Sequence, residues 1–183
     1  MELDFLSVLG LVARHLDAQG IPYMLSGSSA MSFYAQPRTT RDLDIVVALP
    51  RTKAHLLMEA LATEFECDVE SMLDAIARES LFCAIHVQTL VKVDFVALKS
   101  APFRREEFSR RRTFKLSSGQ QVSVVTPEDL VLSKLVWGKP SGSELQMRDA
   151  RNILKTSTGL DAAYLERWAA ELGITAELEE ARR

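Results

Sequence analysis

Two aspartates, Asp42 and Asp44, stand two positions apart where an apolar run over residues 43–49 begins. If that run is a β-strand, both carboxylates point to the same face, and they repel each other unless a cation neutralises them. Carboxylate oxygens are ligands that suit Mg²⁺ or Mn²⁺. The spacing therefore predicts a divalent-metal site, and the alternative is a strand-entry turn in which one aspartate caps a backbone N–H.

A third carboxylate, Asp94, lies between Val93 and Phe95 in a second apolar run. A charge buried in a central strand without a partner would cost several kcal/mol. Its partner could be the same metal ion or a buried arginine. In the first case, Asp42, Asp44 and Asp94 together form the predicted catalytic and metal-binding set.

Small residues, Gly27, Ser28 and Ser29, follow a short apolar run upstream of the aspartates. Such residues between a strand and a helix allow an anion to approach closely, and a helix N-terminus offers free N–H groups to a phosphate. Arg38 and Arg41 would either bind phosphate oxygens or neutralise the carboxylates. A phosphate-binding turn beside a metal site predicts phosphoryl or nucleotidyl transfer.

The pattern around these residues predicts a mixed α/β chain. Apolar residues at helical spacing predict helices, and short β-branched runs predict strands. The predicted helices cover residues 4–19, 30–35, 51–65, 69–79, 103–112, 126–137 and 144–156 and a region from about 161 onward. The predicted strands cover residues 23–25, 43–49, 82–87, 91–98, 113–116 and 121–125.

A boundary between a mixed part and a helical part is predicted near Thr126. Thr126 is a good N-cap, and Pro127 suits the first position of a helix. We therefore expect an α/β domain over residues 1–125 and a helical segment over residues 126–183 that packs on it.

The composition excludes several classes of protein. The 183 residues are 47% hydrophobic and 26% charged, which is typical of a globular protein and excludes disordered and fibrous chains. A formal net charge of −3 argues against binding duplex DNA mainly through bulk positive charge. Two cysteines, Cys67 and Cys83, cannot form a disulfide framework or a four-cysteine zinc site. The acidic N-terminus and the absence of a long apolar run predict a cytoplasmic protein without a membrane span.

Residues from about 20 to 100 resemble the DNA-polymerase-beta-like nucleotidyltransferase superfamily. The motifs that carry the resemblance are the turn at Gly27, the aspartates in D-x-D spacing after a Pro-Arg-x-Thr segment, and the later Asp94. The resemblance implies a minimal nucleotidyltransferase palm, with a mixed β-sheet flanked by helices and followed by C-terminal helices. It also implies that Gly27 and Ser28 contact a triphosphate. Asp94 would be a third metal ligand or the base for the attacking hydroxyl.

Further residues resemble motifs of the AbiEii-type nucleotidyltransferase toxins and related minimal nucleotidyltransferases. They are the run that starts at Thr126, then Lys134-Leu135, and then Arg148-Asp149, which extend the resemblance to about residue 156. It implies that Lys134 and Asp149 belong to the nucleotide-binding site. From its position on an amphipathic helix alone, Lys134 would instead be a solvated lysine.

We therefore predict a metal-dependent nucleotidyltransferase with a nucleoside triphosphate as co-substrate. The acceptor hydroxyl could belong to an RNA or tRNA, a protein or a small molecule, and the resemblance implies the toxin of a toxin–antitoxin pair with a cognate antitoxin. The alternative is a catalytically weak nucleotide-binding or protein-binding module of a two-component system. The complete set of three carboxylates favours the enzyme. A basic run from Arg104 to Lys115 could bind RNA phosphates or form a solvated face.

Overall fold

In the computed structural model, which describes residues 2–36 and 42–183, seven strands form one mixed sheet. The strands are β1 (Tyr23–Ser26), β2 (Asp42–Val47), β3 (Phe65–Cys67), β4 (Leu81–His86), β5 (Lys92–Ala97), β6 (Arg112–Lys115) and β7 (Gln121–Val124). Their order across the sheet is β3-β4-β5-β2-β1-β7-β6. The β2–β5 and β1–β7 pairs are parallel, and the other neighbours are antiparallel.

Helices flank this sheet. They are α1 (Glu2–Ala18), α2 (Gly27–Ala30), α3 (Ala54–Leu61), α4 (Val69–Ala77), α5 (Pro102–Ser109), α6 (Pro127–Gly138), α7 (Glu144–Thr156), α8 (Ala162–Glu171) and α9 (Thr175–Ala181). Short 3₁₀ turns cover Met31–Phe33, Arg51–Lys53 and Lys139–Ser141. Within the described residues, no helix combines the length and the apolar character that crossing a membrane requires.

The two faces of the central strands differ in burial. Along β2, Leu43, Ile45 and Val47 are fully buried, whereas the residues between them are half-buried. The same alternation occurs along β5. The buried face shares one core with apolar residues of α1, α3 and α4. Because the strand period is two, the opposite face carries Asp42 and Asp44.

Helix α6 is buried along almost its whole length. It contacts α7, α8 and α9 on its sides and α2 near the sheet. Thr126 caps it as expected, because its side-chain oxygen accepts a hydrogen bond from the backbone N–H of Asp129 at 3.3 Å. The division of the chain near Thr126 stays a prediction.

A buried carboxylate, Asp129, connects three elements. It accepts hydrogen bonds from Thr126 Oγ1 at 2.5 Å and from Tyr164 Oη at 2.5 Å, and Arg110 Nε donates to it at 3.2 Å. The Arg110 guanidinium also lies 3.7 Å from the centre of the Tyr164 ring. The end of α5, the start of α6 and the start of α8 are thereby tied together.

The fold class predicted from the sequence is confirmed, but the helix predicted over residues 51–65 is wrong in its extent. A 3₁₀ turn comes first, α3 ends at Leu61, and Phe65–Cys67 form the edge strand β3. Phe65 is buried beside His86 of β4. The local spacing of this segment suits a helix, but pairing with a strand more than 15 residues away makes it a β-strand.

Three other boundaries also differ. The helix predicted over residues 30–35 begins already at Gly27, so the small residues form its first turn. Helix α5 ends at Ser109, three residues before the predicted end, because Arg112 already pairs with Val124 in the sheet. The final helical region is two helices, separated at Gly173, whose φ of +67° suits glycine.

Candidate active site

The turn after β1 lies directly against the carboxylate of Asp44. Ser26 and Asp44 are opposite each other on the antiparallel strands β1 and β2. Gly27 follows with a φ of +60°, and a Cβ built on it would lie 2.0 Å from Oδ2 of Asp44. The Ser28 backbone N–H donates a hydrogen bond to the same carboxylate. Glycine is therefore required here both for its conformation and for its lack of a side chain.

Ser29 stabilises this turn from within. It is 2% exposed, its hydroxyl donates to the Ser26 carbonyl at 2.9 Å, and it accepts from the Asp44 backbone N–H at 3.4 Å. The hydroxyl is thus used by the protein itself. A contact between Ser29 and a nucleotide stays a prediction.

The structure brings Asp42, Asp44 and Asp94 to one face of the sheet. Asp44 and Asp94 are direct neighbours in the parallel register of β2 and β5, and Asp42 is two residues before Asp44. Burial raises the pKa of Asp44, and so do the negative charges of Asp94 and Asp42, while Lys134 opposes the shift. The face is therefore acidic, as the spacing predicted.

Asp94 has two partners that the sequence analysis did not identify. Lys92, on the same strand, places Nζ 2.8 Å from the Asp94 carboxylate, and Cys83 of β4 places Sγ 2.9 Å from Oδ1. Burial and the hydrogen bond to Asp94 raise the pKa of the Cys83 thiol. Among the described residues no arginine pairs with Asp94, which was the alternative to a metal ion. The i, i−2 spacing of Lys92 on a strand was the available signal.

The residues present fit a divalent cation at Asp42 and Asp44. Among the described residues, no three His, Cys, Asp or Glu side chains group closely enough to enclose an ion by themselves. Mg²⁺ is usually held by one or two carboxylates together with substrate phosphates, so such an enclosure is not needed. Burial is the main cause of the raised pKa of Asp44, and the negative charges of Asp94 and Asp42 add to it. A bound cation would favour the ionised carboxylate.

Lys134 of α6 lies beside the turn. Its Nζ is 3.0 Å from Ser28 Oγ and 2.9 Å from Oδ2 of Asp149 on α7. Lys134 is 5% exposed and Asp149 is 2% exposed, so the alternative of a solvated lysine is wrong. Asp149 holds the ammonium group in place, which makes it a positioning residue in this arrangement.

A cleft of about 320 Å³ extends from these residues between the open sheet face and the helices α5 and α6. Asp44 and apolar residues line its strand side, and charged and aromatic groups line its helix side. Lining residues include Asp44, Val46, Val96, Arg104, Ser133 and Trp137. Trp137 lines this cleft and is 69% exposed.

No protein-family model matches the sequence, and no curated protein matches it in sequence. The structure, in contrast, resembles solved nucleotidyltransferases. An antigenic nucleotidyltransferase-like protein from Paracoccidioides brasiliensis superposes with a TM-score of 0.60 at 19% identity, over 95% of this chain and 91% of that one. The antibiotic-resistance factor ANT(2'')-Ia has a TM-score of 0.60 at 15% identity, over 98% and 97% of the two chains. The lincosamide antibiotic adenylyltransferase LnuA, bound to lincomycin, has a TM-score of 0.54 at 13% identity, over 86% and 98%.

This chain has the nucleotidyltransferase fold. The predicted palm is thus confirmed as a fold, whereas the more specific AbiEii-type assignment is not. The nucleotidyltransferase fold here places a glycine turn, an acidic strand face and a buried lysine around one cleft.

The basic run predicted from the sequence does not form one surface of this nucleotidyltransferase fold. Arg104 pairs with Glu107 at 2.9 Å inside the cleft, Arg110 binds Asp129, and Arg111 donates to the Phe108 carbonyl at 2.6 Å. Other members are exposed, namely Arg105, Arg112 and Lys115. The predicted roles of Arg38 and Arg41 lie outside the described residues.

Proposed function

We propose that this protein is a metal-dependent nucleotidyltransferase that transfers a nucleoside monophosphate from a nucleoside triphosphate to an acceptor hydroxyl. The observation that carries the proposal is the contact between the Gly27 turn and the carboxylate of Asp44. It joins a phosphate-binding candidate to a metal-binding candidate without any intervening side chain. The shared fold agrees with this activity, which is argued from the site itself.

The triphosphate would bind at Ser28 and Lys134. The ammonium group and the hydroxyl are 3.0 Å apart, so a single phosphate group can contact both. Lysine acts as a point charge and needs no bidentate geometry to bind a phosphate. Asp149 keeps this ammonium at the turn when no nucleotide is bound.

Mg²⁺ or Mn²⁺ would be held by Asp42 and Asp44 and would neutralise charge on the phosphates. The protein itself supplies position and charge, which are the main contributions in this class of reaction. Both carboxylates must be ionised for this purpose.

In the transfer, the acceptor oxygen forms a bond to the α-phosphorus, and the bond between that phosphorus and the bridging oxygen of the β-phosphate breaks. Pyrophosphate leaves with the electron pair of the broken bond. The proton of the acceptor hydroxyl passes to the carboxylate of Asp94, which adjoins Asp44 in the sheet. Lys92 orients that carboxylate from 2.8 Å away.

We infer that the acceptor is a small molecule. Two structures with the same fold are named for antibiotic resistance or for the adenylylation of an antibiotic. An RNA, tRNA or protein acceptor would need an extended surface, and the basic run is divided among separate contacts. The toxin–antitoxin setting, a cognate antitoxin and the cytoplasmic location stay predictions from the sequence.

The test is an incubation with each α-³²P-labelled nucleoside triphosphate, Mg²⁺, and either a panel of hydroxyl-bearing antibiotics or total RNA. We expect transfer of label to a small molecule with release of pyrophosphate, and no transfer by Asp44→Asn. The matched control is Asp74→Asn, because Asp74 is an exposed residue that pairs with Arg78 on α4. Nucleotide binding without label transfer or pyrophosphate release would favour the alternative, a catalytically weak binding module.

A further inference from the structure

The cleft continues beyond the phosphate-binding residues along one face of α6. Lys134 and Trp137 are three residues apart, so their side chains lie on the same side of the helix about one turn from each other. Both line the cleft. If the triphosphate binds at Lys134, as in the proposed function on which this inference rests, the nucleoside extends toward Trp137. An exposed indole there is a surface on which a flat base stacks.

Arg104 lies in the same cleft and is held by two buried groups. Its Nη1 donates to Glu107 Oε2 at 2.9 Å and to Ser133 Oγ at 2.6 Å, and the Ser133 hydroxyl donates to Glu107 Oε1 at 2.6 Å. Glu107 is 2% exposed, and burial raises the pKa of its carboxyl although Arg104 opposes the shift. The guanidinium is therefore fixed in one orientation.

The other side of that guanidinium is available to a ligand. Nε and Nη2 make no hydrogen bond to any residue in the part of the chain that the structure describes, and the Arg104 side chain is 21% exposed in the cleft. These two nitrogens form a planar fork of parallel N–H donors. Such a fork matches a ligand with two adjacent acceptor atoms on one edge.

We infer that Arg104 is a specificity-determining residue that binds the edge of the nucleobase and selects guanine or cytosine. Guanine offers O6 and N7 side by side, and cytosine offers O2 and N3. In adenine an amino group stands beside N1 and N7, and in uracil an N–H lies between the two carbonyl oxygens. The fork of Arg104 pairs fully with the first two bases only.

The test measures the dissociation constants of GTP, CTP, ATP and UTP in the presence of Mg²⁺ by calorimetry with the full-length protein. One good bidentate contact is worth roughly a 5- to 150-fold preference. We expect GTP or CTP to bind tighter than ATP and UTP by that factor, and the comparison of GTP with CTP identifies the base.

The matched variants are Arg104→Lys and Arg105→Lys. Lysine at position 104 keeps the charge beside Glu107 but removes the fork, so the preference should fall to about 2-fold or less while ATP and UTP affinities stay unchanged. Arg105 is exposed on the same helix, and its replacement should alter nothing. If Arg104→Lys does not fold, a double variant, Arg104→Met with Glu107→Met, replaces the buried pair by apolar side chains of similar volume.

The outcomes separate the two proposals. Equal binding of all four nucleotides, a preference for ATP or UTP, or an unchanged preference in Arg104→Lys would overturn the inference and leave the proposed function intact. Failure of every nucleotide to bind with Mg²⁺ would overturn both.

Discussion

The backbone of Gly27 and the carboxylate of Asp44 are so close that no side chain fits between them. A Cβ at Gly27 would lie 2.0 Å from Oδ2 and 2.4 Å from Cγ of Asp44. The position of the acidic strand relative to the turn therefore depends on one missing methyl group. This contact makes the site sensitive to the smallest possible substitution.

Gly27→Ala should abolish nucleotide binding and reduce stability. An L-residue at a φ of +60° costs about 1–2 kcal/mol, and displacement of the Asp44 side chain adds to that cost. Gly142 is the matched control, since its φ is +59° and nothing lies within 4 Å of the position of its Cβ. Gly142→Ala should reduce stability only by the cost of an L-residue at this φ, and it should still bind nucleotide. Urea denaturation and calorimetry measure both effects, and equal effects of the two variants on nucleotide affinity would contradict the assigned role of the turn.

Asp44→Asn should remove binding of the metal–nucleotide complex while leaving the metal-free fold unchanged or more stable. The reason is that burial and two neighbouring carboxylates already disfavour the ionised form of Asp44. The measurement is the melting temperature with and without Mg²⁺ and nucleotide, for which wild type should gain about 2.7 kcal/mol of stability at a ligand concentration of about 100 times the Kd. A loss of about 3 kcal/mol in the metal-free variant would indicate a structural ion pair instead.

The pH dependence of stability follows from the raised pKa of Asp44. Between its ordinary value of 3.8 and the raised value, the folded protein binds more protons than the unfolded chain. The contribution of this group to the free energy of unfolding therefore falls as pH rises through that window and stays low above it. Asp44→Asn lacks this loss, so its stability relative to wild type should increase as pH rises from about 4. Urea midpoints of both proteins across this range test the sign, and a decreasing difference would contradict it.

Lys134→Met should destabilise the protein by about 3–5 kcal/mol, because it takes the ammonium group away from the buried carboxylate of Asp149. The double variant with Asp149→Leu should recover most of that stability but should not recover nucleotide affinity. For comparison, Arg151→Met breaks an exposed ion pair with Glu180 and should cost about 1 kcal/mol or less. If the stable double variant bound nucleotide as wild type does, Lys134 would have only a structural role.

Tyr164→Phe should cost more stability than Tyr34→Phe. Tyr164 donates to the fully buried carboxylate of Asp129, and hydrogen bonds to charged groups contribute about 1.5–3 kcal/mol. Burial raises the pKa of Tyr164, so the hydroxyl remains a donor. Tyr34 donates to the neutral Val125 carbonyl at 2.7 Å, which is worth about 0.5–1.5 kcal/mol. Denaturation midpoints of the two variants give the order directly.

Local patterns were sufficient for most of the sheet and for the acidic face. The apolar runs of β2 and β5 have the length and β-branched content of buried strands, and D-x-D spacing places Asp42 and Asp44 on one side whatever surrounds them. The N-cap at Thr126 likewise depends on residues within one turn. Such features depend on residues that are close together in the chain, so a single sequence is enough to predict them.

Features that depend on distant partners were not predictable in this way. The strand β3 exists because β4 pairs with it, and its own three residues, Phe65–Cys67, give no strand signal. Lys134 looks like a solvated residue until α7 brings Asp149 within 2.9 Å. Arg104 contacts Ser133, which lies 29 positions away in the chain. From the sequence, Arg104 is only one member of a charged run on α5, and nothing near it in the chain indicates this contact.

The bridge from Lys134 to Ser28 joins residues 106 positions apart in the chain. Closing so long a loop costs conformational entropy that short-range contacts do not, and contacts of this kind slow folding. We therefore expect that, during refolding, the acidic strand face forms before Lys134 makes its contact with Ser28. Stopped-flow measurements should find that far-ultraviolet circular dichroism recovers ahead of nucleotide binding, so that a kinetic interval separates a folded sheet from a competent binding site.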